Sequence, residues 1–166
     1  MVIVTLILHI FVSQQTFKCN NSVPTGSFID QTEESLGKAI RESNVPREEV
    51  FVTTKLWGTF RKPEHVRPAF ERSLKDLQFD YIDMYMLHWP MAWEFHGYEH
   101  DKLQVKDKDG DLKVLDIPLI DTWREMEKLV KDGLVRNIGV SNCTIPMLEE
   151  LLKEAEIPPC MNQVRV

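Results

Sequence analysis

Four strand-like segments of the sequence end in polar or titratable side chains. Lys55 lies near the end of VFVTTKLW, and His88 ends the apolar part of DMYMLHWP. Ser141 and Asn142 end VRNIGVSN, and Gln163 interrupts the terminal segment MNQV. An ammonium, an imidazole, a hydroxyl and two amides can together donate and accept the hydrogen bonds of a polar ligand. If these groups meet in space, they form a binding pocket.

Each of these residues also has a purely structural explanation when it is taken alone. A lysine near a strand end is usually solvated, and His88 could be a structural histidine whose hydrogen bonds are satisfied. Ser141 and Asn142 could cap the helix that follows them. Gln163 is harder to explain in this way, because a buried amide in a strand needs partners. The hypothesis of a site therefore depends on whether the four segments converge.

The order of the predicted elements indicates that they do converge. Strands are predicted for residues 50–57, 81–88, 135–141 and from 161 onward. Helices are predicted from Asp30 in a capping box with Glu33, for residues 64–77 and 119–130, and after Pro146. This alternation predicts an α/β fold with parallel strands covered by helices. The carboxyl ends of such strands lie at one edge, where ligands bind.

One long connection, residues 91–117, interrupts the alternation. Its stretch KDKDGDLKV contains Asp109 and Gly110, a turn pair that predicts a small hairpin. An EF-hand is excluded, because Leu112 would occupy the glycine position and Pro118 the glutamate position of its loop. Long loops in compact domains often cover or bind ligands.

The composition limits the class of protein. A net charge of −6 with interspersed acidic and basic residues disfavours a nucleic-acid partner. The three cysteines are widely separated, so we predict no disulfide framework and no metal site, which favours a cytoplasmic protein. Residues 1–12 are apolar but too short for a membrane span. They predict a buried strand or irregular core, and the alternatives are the core of a secretion signal and an unstructured tail.

Taken together, VFVTTKLW, DMYMLHWP, GLVRNIGVSN and MNQV resemble four successive segments of the aldo-keto reductase family. The segment EESLGKAIRESNVPREEVFVTTKLW is similar to the family's approach to its third barrel strand. The resemblance runs from about Glu33 to Val166. It implies a partial (β/α)8 TIM barrel over residues 30–166, preceded by an atypical apolar segment at residues 1–29.

The resemblance also implies an activity, the NADPH-dependent reduction of aldehydes and ketones to alcohols. In this family a tyrosine protonates the carbonyl oxygen, a lysine lowers the pKa of that tyrosine, an aspartate pairs with the lysine, and a histidine orients the carbonyl. By resemblance, the catalytic residues would be Lys55, His88 and Asp30. Such roles are physically reasonable, because an ammonium stabilises a phenolate and a neutral imidazole can donate to an oxyanion.

The binding residues follow from the same resemblance. Trp57, Trp89 and His88 would line the pocket of a small-molecule carbonyl substrate. Ser141, Asn142 and Gln163 would bind the carboxamide of the NADPH nicotinamide.

The sequence departs from the family pattern at two places. SFID, ending at Asp30, runs directly into QTEES, without the segment that holds the family's catalytic tyrosine. The chain also ends in what resembles the sixth barrel strand, whereas a complete barrel needs about 250 residues. We therefore expect either an impaired carbonyl reductase or a catalytically inactive reductase-derived fragment or interaction module. Its exposed barrel edges predict self-association.

Overall fold

The computed structural model describes residues 31–164, which form four helices and six strands. The helices are α1 (Glu33–Glu42), α2 (Pro63–Leu77), α3 (Leu119–Lys131) and α4 (Ile145–Glu154). The strands are β1 (Thr53–Leu56), β2 (Ile82–Leu87), β3 (Ala92–Trp93), β4 (Val114–Leu115), β5 (Val135–Ser141) and β6 (Asn162–Gln163). The predicted segment 1–29 and Asp30 lie outside the described residues.

The main sheet contains four parallel strands in the order β1-β2-β5-β6. Each connection between neighbouring strands contains a helix, as a parallel crossover requires. The predicted α/β class and strand direction are therefore confirmed. In the described part of the chain, β1 and β6 are the edges of this sheet.

The hydrophobic core lies between the sheet and its helices. Tyr85 of β2 contacts Phe70 of α2 edge-on, with ring centroids 5.0 Å apart. Trp123 of α3 is fully buried and donates its indole N–H to the carbonyl of Ile157, 2.9 Å away. The helices α1 and α2 approach closely at Gly37, where a Cβ would lie 2.1 Å from the Leu77 carbonyl oxygen.

Side chains that alternate with Tyr85 lie on the opposite face of the sheet. Met84 and Met86 belong to this inner face, and the strand register places Lys55 beside Met86. Gly139 is opposite Met86 in β5, and a Cβ there would lie 3.5 Å from the sulfur of Met84. The inner face therefore contains Lys55 among apolar neighbours.

The predicted strand at residues 50–57 is longer than the observed β1. The N–H of Val52 donates to the buried carboxylate of Asp83 at 3.0 Å instead of a neighbouring strand. At the other end, Trp57 leads directly into a 3₁₀ turn, Gly58–Phe60. The strand predicted for residues 135–141 coincides with β5.

The prediction of a capping box from Asp30 to Glu33 is wrong. The helix begins at Glu33, and its N-cap is Thr32, which makes no side-chain capping bond. Glu33 is 2% exposed and accepts a hydrogen bond of 2.5 Å from the Thr54 hydroxyl. Burial raises the pKa of Glu33, while the bond from Thr54 opposes the shift. Its side chain thus joins α1 to β1 instead of returning to its own helix terminus.

We expect Glu33→Gln to become increasingly stable, relative to the wild type, as the pH rises. Since the folded pKa lies above the usual 4.5, the unfolded chain loses its proton first, and wild-type stability falls as the pH passes through the folded value. Glutamine has no such proton and can still accept from Thr54. Urea unfolding of both proteins below pH 4.5 and at neutral pH measures the effect. A pH-independent difference would contradict it.

The loop at residues 91–117 contains secondary structure of its own. β3 pairs with β4 in antiparallel orientation. Within the loop, Lys106 and Leu112 form an isolated antiparallel bridge around a turn in which Gly110 has a φ of +88°. The predicted hairpin at Asp109 and Gly110 is therefore confirmed in a short form. None of the helices in residues 31–164 is long and apolar enough to cross a membrane.

Candidate active site

The strand register brings the ends of all four parallel strands to one level. Leu56 is opposite Leu87, and Leu87 is opposite Val140. Ser141 is opposite Gln163 in the last pair. The residues at these carboxyl ends, which we call the C-terminal rim, are Lys55, Trp57, His88, Trp89, Ser141, Asn142 and Gln163.

Hydrogen bonds join neighbouring segments of the C-terminal rim. The backbone N–H of His88 donates to the carbonyl of Leu56 at 3.0 Å. The Asn142 side-chain amide donates to the carbonyl of His88 at 2.9 Å. The backbone N–H of Asn142 and the hydroxyl of Ser141 both donate to the carbonyl of Gln163, at 3.0 Å and 2.6 Å. Asn142 has a φ of +60°, a left-handed conformation that asparagine tolerates better than most residues.

Two indole rings, those of Trp57 and Trp89, lie beside His88, and we call them, together with Trp93 of the loop, the aromatic wall. The rings of Trp57 and His88 meet edge-on with centroids 5.2 Å apart. The ring planes of His88 and Trp89 are nearly parallel, at 17°, with centroids 6.2 Å apart. Trp57 is itself 8% exposed and donates its indole N–H to the carbonyl of Leu103 at 3.0 Å. The imidazole is therefore held beside two indoles.

The loop at residues 91–117 contributes to this wall, which sequence reasoning did not predict. Trp93 of β3 packs on Trp57 with ring centroids 5.0 Å apart. It also covers Gly58, where a Cβ would lie 2.4 Å from the Trp93 ring. The sequence shows Trp93 as an aromatic residue shortly after the His-Trp-Pro segment. No periodic pattern, however, indicates that it packs on Trp57.

Gln163 provides a hydrogen-bond acceptor. Its side-chain oxygen Oε1 is buried and accepts no hydrogen bond within the described part of the chain. Its backbone carbonyl, in contrast, accepts from Ser141 and Asn142. A buried acceptor without a donor is costly, and a ligand N–H group can satisfy it. The side chain therefore fits a ligand that carries an N–H or O–H donor.

All predicted site residues within the described range thus lie at the C-terminal rim. Asp30 is outside that range, and its pairing with Lys55 stays a prediction. The roles assigned to the other residues also stay predictions, since the geometry places them without assigning their chemistry. Residues 31–164 contain no group of three or more His, Cys, Asp or Glu side chains arranged to hold a metal ion.

The three tyrosines of this chain occupy other places. Tyr81 precedes β2 at the amino end of the sheet, where the guanidinium of Arg136 lies over its ring. Tyr85 lies on the outer face against Phe70, and burial raises its pKa well above the ordinary value. The Tyr98 hydroxyl lies 3.1 Å from Nδ1 of His65. Tyr81 and Tyr85 therefore lie away from the C-terminal rim, and the Tyr98 hydroxyl contacts His65 instead.

Comparison with known proteins identifies this arrangement. Residues 27–166 match the Aldo/keto reductase family. The chain belongs to this family. A glyoxal reductase of Bacillus subtilis is 46% identical over 136 residues, which are 82% of this chain and 41% of that protein. An NAD(P)H-dependent D-xylose reductase of Pachysolen tannophilus is 41% identical over 133 residues, covering 79% of this chain and 42% of that protein.

Solved structures of the family agree with the fold. The aldose reductase of Giardia lamblia superposes with a TM-score of 0.80 at 40% identity, covering 86% of this chain and 48% of that chain. The four parallel strands and their helices are therefore part of a (β/α)8 barrel, as predicted. The chain spans about two-fifths of the length of these two curated relatives.

Proposed function

We propose that this aldo/keto reductase chain binds a nicotinamide cofactor and a small carbonyl substrate at its C-terminal rim, for reduction of an aldehyde or ketone to an alcohol. The observation that supports this function best is the convergence of Lys55, His88, Asn142 and Gln163 at the carboxyl ends of adjacent parallel strands. Ligands of barrels bind at this end. The proteins similar to this chain include reductases of glyoxal and D-xylose.

Ser141, Asn142 and Gln163 are the residues that would hold the cofactor, which we propose to be NADPH. The unsatisfied Oε1 of Gln163 would accept from the carboxamide NH₂. Ser141 and Asn142 position the strand end that presents Gln163, since both donate to its carbonyl. When bound, the cofactor supplies a hydride to the carbonyl carbon.

Lys55 and His88 would act on the carbonyl oxygen. An ammonium and an imidazole N–H both donate hydrogen bonds, which stabilise negative charge that develops on oxygen during reduction. Trp57 and Trp89 would exclude water from the pocket beside His88, and the low local dielectric would strengthen these bonds. In this mechanism, the proton that completes the alcohol comes from His88 or from water.

A second candidate function is binding without efficient catalysis. It is favoured by the positions of Tyr81, Tyr85 and Tyr98, which leave the C-terminal rim of this chain without a phenolic acid. Loss of a positioned general acid typically lowers a rate by about 10²–10⁴-fold. We propose that reduction by this chain is correspondingly slow.

The sheet edge and the cysteines support two further proposals, one on self-association and one on cellular location. β6 is an edge of the main sheet within the described range, and we propose self-association through exposed barrel edges of this kind. Cys143 and Cys160 are free thiols, which is typical of a reducing compartment, and we propose a cytoplasmic location.

We expect the purified chain to bind NADPH saturably, with Gln163→Met weakening the affinity about tenfold through loss of one hydrogen bond. Methionine preserves the side-chain length, and the backbone carbonyl that accepts from Ser141 is retained. Cofactor fluorescence titration measures the dissociation constant. The matched control is Gln104→Met, since Gln104 is exposed in the 91–117 loop. Absence of binding to folded wild-type protein would refute the proposal, and equal affinity of Gln163→Met would refute the role of Gln163.

A further inference from the structure

Arg61 is a buried cation without a carboxylate partner in the described part of the chain. It follows the 3₁₀ turn Gly58–Phe60 at the end of β1 and is only 2% exposed. Other buried charges differ from it: the carboxylate of Asp83, for example, is paired with two arginines. Burial lowers the pKa of Arg61 to about 10, so the guanidinium remains protonated at neutral pH. A buried unpaired charge is expensive and requires a structural or functional reason.

The guanidinium contacts both ends of the long loop at residues 91–117. Nη1 of Arg61 donates to the carbonyl of Pro90, immediately before the loop. Nη2 donates to the carbonyl of Ile117, at its end, over 3.1 Å. The carbonyl of Arg61 also accepts a bond of 2.6 Å from the hydroxyl of Thr122 in α3. One planar group thus holds together the two ends of a loop of more than twenty residues.

This loop covers one side of the candidate site. Trp93 packs on Trp57, and the carbonyl of Leu103 accepts the indole N–H of Trp57. Trp57 in turn contacts His88 edge-on. Pro90 is two residues after His88, so the Arg61–Pro90 bond is also close in sequence to the imidazole. Contacts therefore connect Arg61 to the aromatic wall through both the loop and the end of β2.

We propose that Arg61 is a positioning residue that holds the 91–117 loop against Trp57 and so fixes the wall of the carbonyl pocket. This role rests on the proposed function for its effect on substrate, but the effect on the loop is independent of any activity. Two hydrogen bonds from a charged donor to the loop ends are an effective constraint, since bonds to charged groups are stronger than neutral ones. Closing the loop at its base leaves Trp93 and Leu103 fewer alternative positions.

A purely structural role makes a different prediction. If Arg61 only filled space in the core, its replacement would loosen the whole domain, including the sheet. If it positions the loop, the disturbance is confined to residues 91–117. The bond between the N–H of Glu94 and the carbonyl of Lys113, 2.9 Å long, lies within the loop and reports its opening.

The experiment is amide hydrogen exchange of the full chain, read separately for the loop and for β2 and β5. We expect Arg61→Met to accelerate exchange at Glu94 by at least about tenfold and to leave β2 and β5 unchanged. Arg61→Lys, whose single ammonium cannot form the two-pronged contact, should have an intermediate effect. The matched control is Arg67→Met, which removes an arginine of α2 that pairs with Asp132 and does not hold the loop.

Unchanged exchange at Glu94, or equal acceleration of the loop, β2 and β5, would overturn the positioning role. If Arg61→Met does not fold, exchange at Glu94, β2 and β5 is compared between the wild type and Arg61→Lys, and the same two outcomes would overturn the role. Steady-state reduction of a small aldehyde gives a second readout: KM should rise by about tenfold with a smaller change in kcat, since the pocket wall mainly affects substrate binding. A wild-type chain without NADPH binding would refute the proposed function, whereas the exchange result would still test Arg61.

Discussion

Replacing Asp83 by alanine is expected to lower the free energy of unfolding by about 2–4 kcal/mol, because the buried Val52 N–H and the partly buried Arg47 guanidinium lose their shared acceptor. The Asp83 side chain is 3% exposed, and its Oδ2 lies 2.7 Å from Nη2 of Arg47. Its Oδ1 lies 3.1 Å from Nη1 of Arg136. Oδ2 also accepts from the backbone N–H of Val52 at 3.0 Å. One carboxylate thus joins β1, β2 and β5 at the amino end of the sheet.

Urea unfolding of wild type and Asp83→Ala, monitored by circular dichroism, measures this loss. The matched control is Asp132→Ala, whose carboxylate pairs with Arg67 and is 50% exposed. An exposed pair of this kind contributes about 0–1 kcal/mol, so this variant should unfold close to the wild-type midpoint. If the free energy of unfolding of Asp83→Ala also fell by no more than about 1 kcal/mol, the Asp83 carboxylate would not be important for joining the strands.

The sequence did not predict the ion pairs of Asp83, because they depend on which strands are neighbours in the sheet. Asp83 was visible as a charged residue in an apolar strand, but its partners, Arg47 and Arg136, are distant in sequence and on opposite sides of β2. Pairing of this type depends on strand order, which alternation of elements does not specify. The same carboxylate also shortens β1, because it binds the N–H of Val52.

The helices and the parallel arrangement could be predicted because they depend on local patterns. The helices predicted for residues 64–77 and 119–130 are observed as α2 and α3, and Gly133, which follows α3, has a left-handed φ of +75° that suits glycine. The capping box failed because burial against Thr54 was more favourable for Glu33 than a bond to its own helix terminus. Tertiary packing overrides a capping motif whenever its side chain can reach a buried partner.

The sequence predicted the part of the candidate site that lies on the strands, but not the part that the 91–117 loop contributes. Lys55, His88, Asn142 and Gln163 occupy strand ends, and parallel strands bring their carboxyl ends together whatever the loops do. Trp93 and Arg61 act through contacts between the 91–117 loop and the turn after β1. No periodic pattern identifies such contacts, so these residues could be found only from the folded chain.

His88→Leu is expected to lower kcat/KM for reduction of a small aldehyde by about 10²–10³-fold, because it removes a hydrogen-bond donor to the carbonyl oxygen. Leucine keeps a side chain of similar size beside Trp57, whose ring lies 5.2 Å from that of His88. His88→Gln should recover part of the rate, since its amide N–H can donate but cannot release a proton readily. NADPH affinity should stay the same in both variants, because Ser141 and Gln163 are unaltered.

Consumption of NADPH, followed by its absorbance, together with cofactor titration, separates these effects. His96→Leu is the matched control, since His96 is exposed and its Nε2 faces Glu94 at 3.4 Å, outside the C-terminal rim. Equal turnover by His88→Leu and wild type would place the donor elsewhere, with Lys55 as the remaining candidate on the inner face. Saturable NADPH binding without any wild-type turnover would instead favour binding without catalysis. Such binding would show that the cofactor residues are assembled, and it would confine the defect to substrate binding or to proton donation to the carbonyl oxygen.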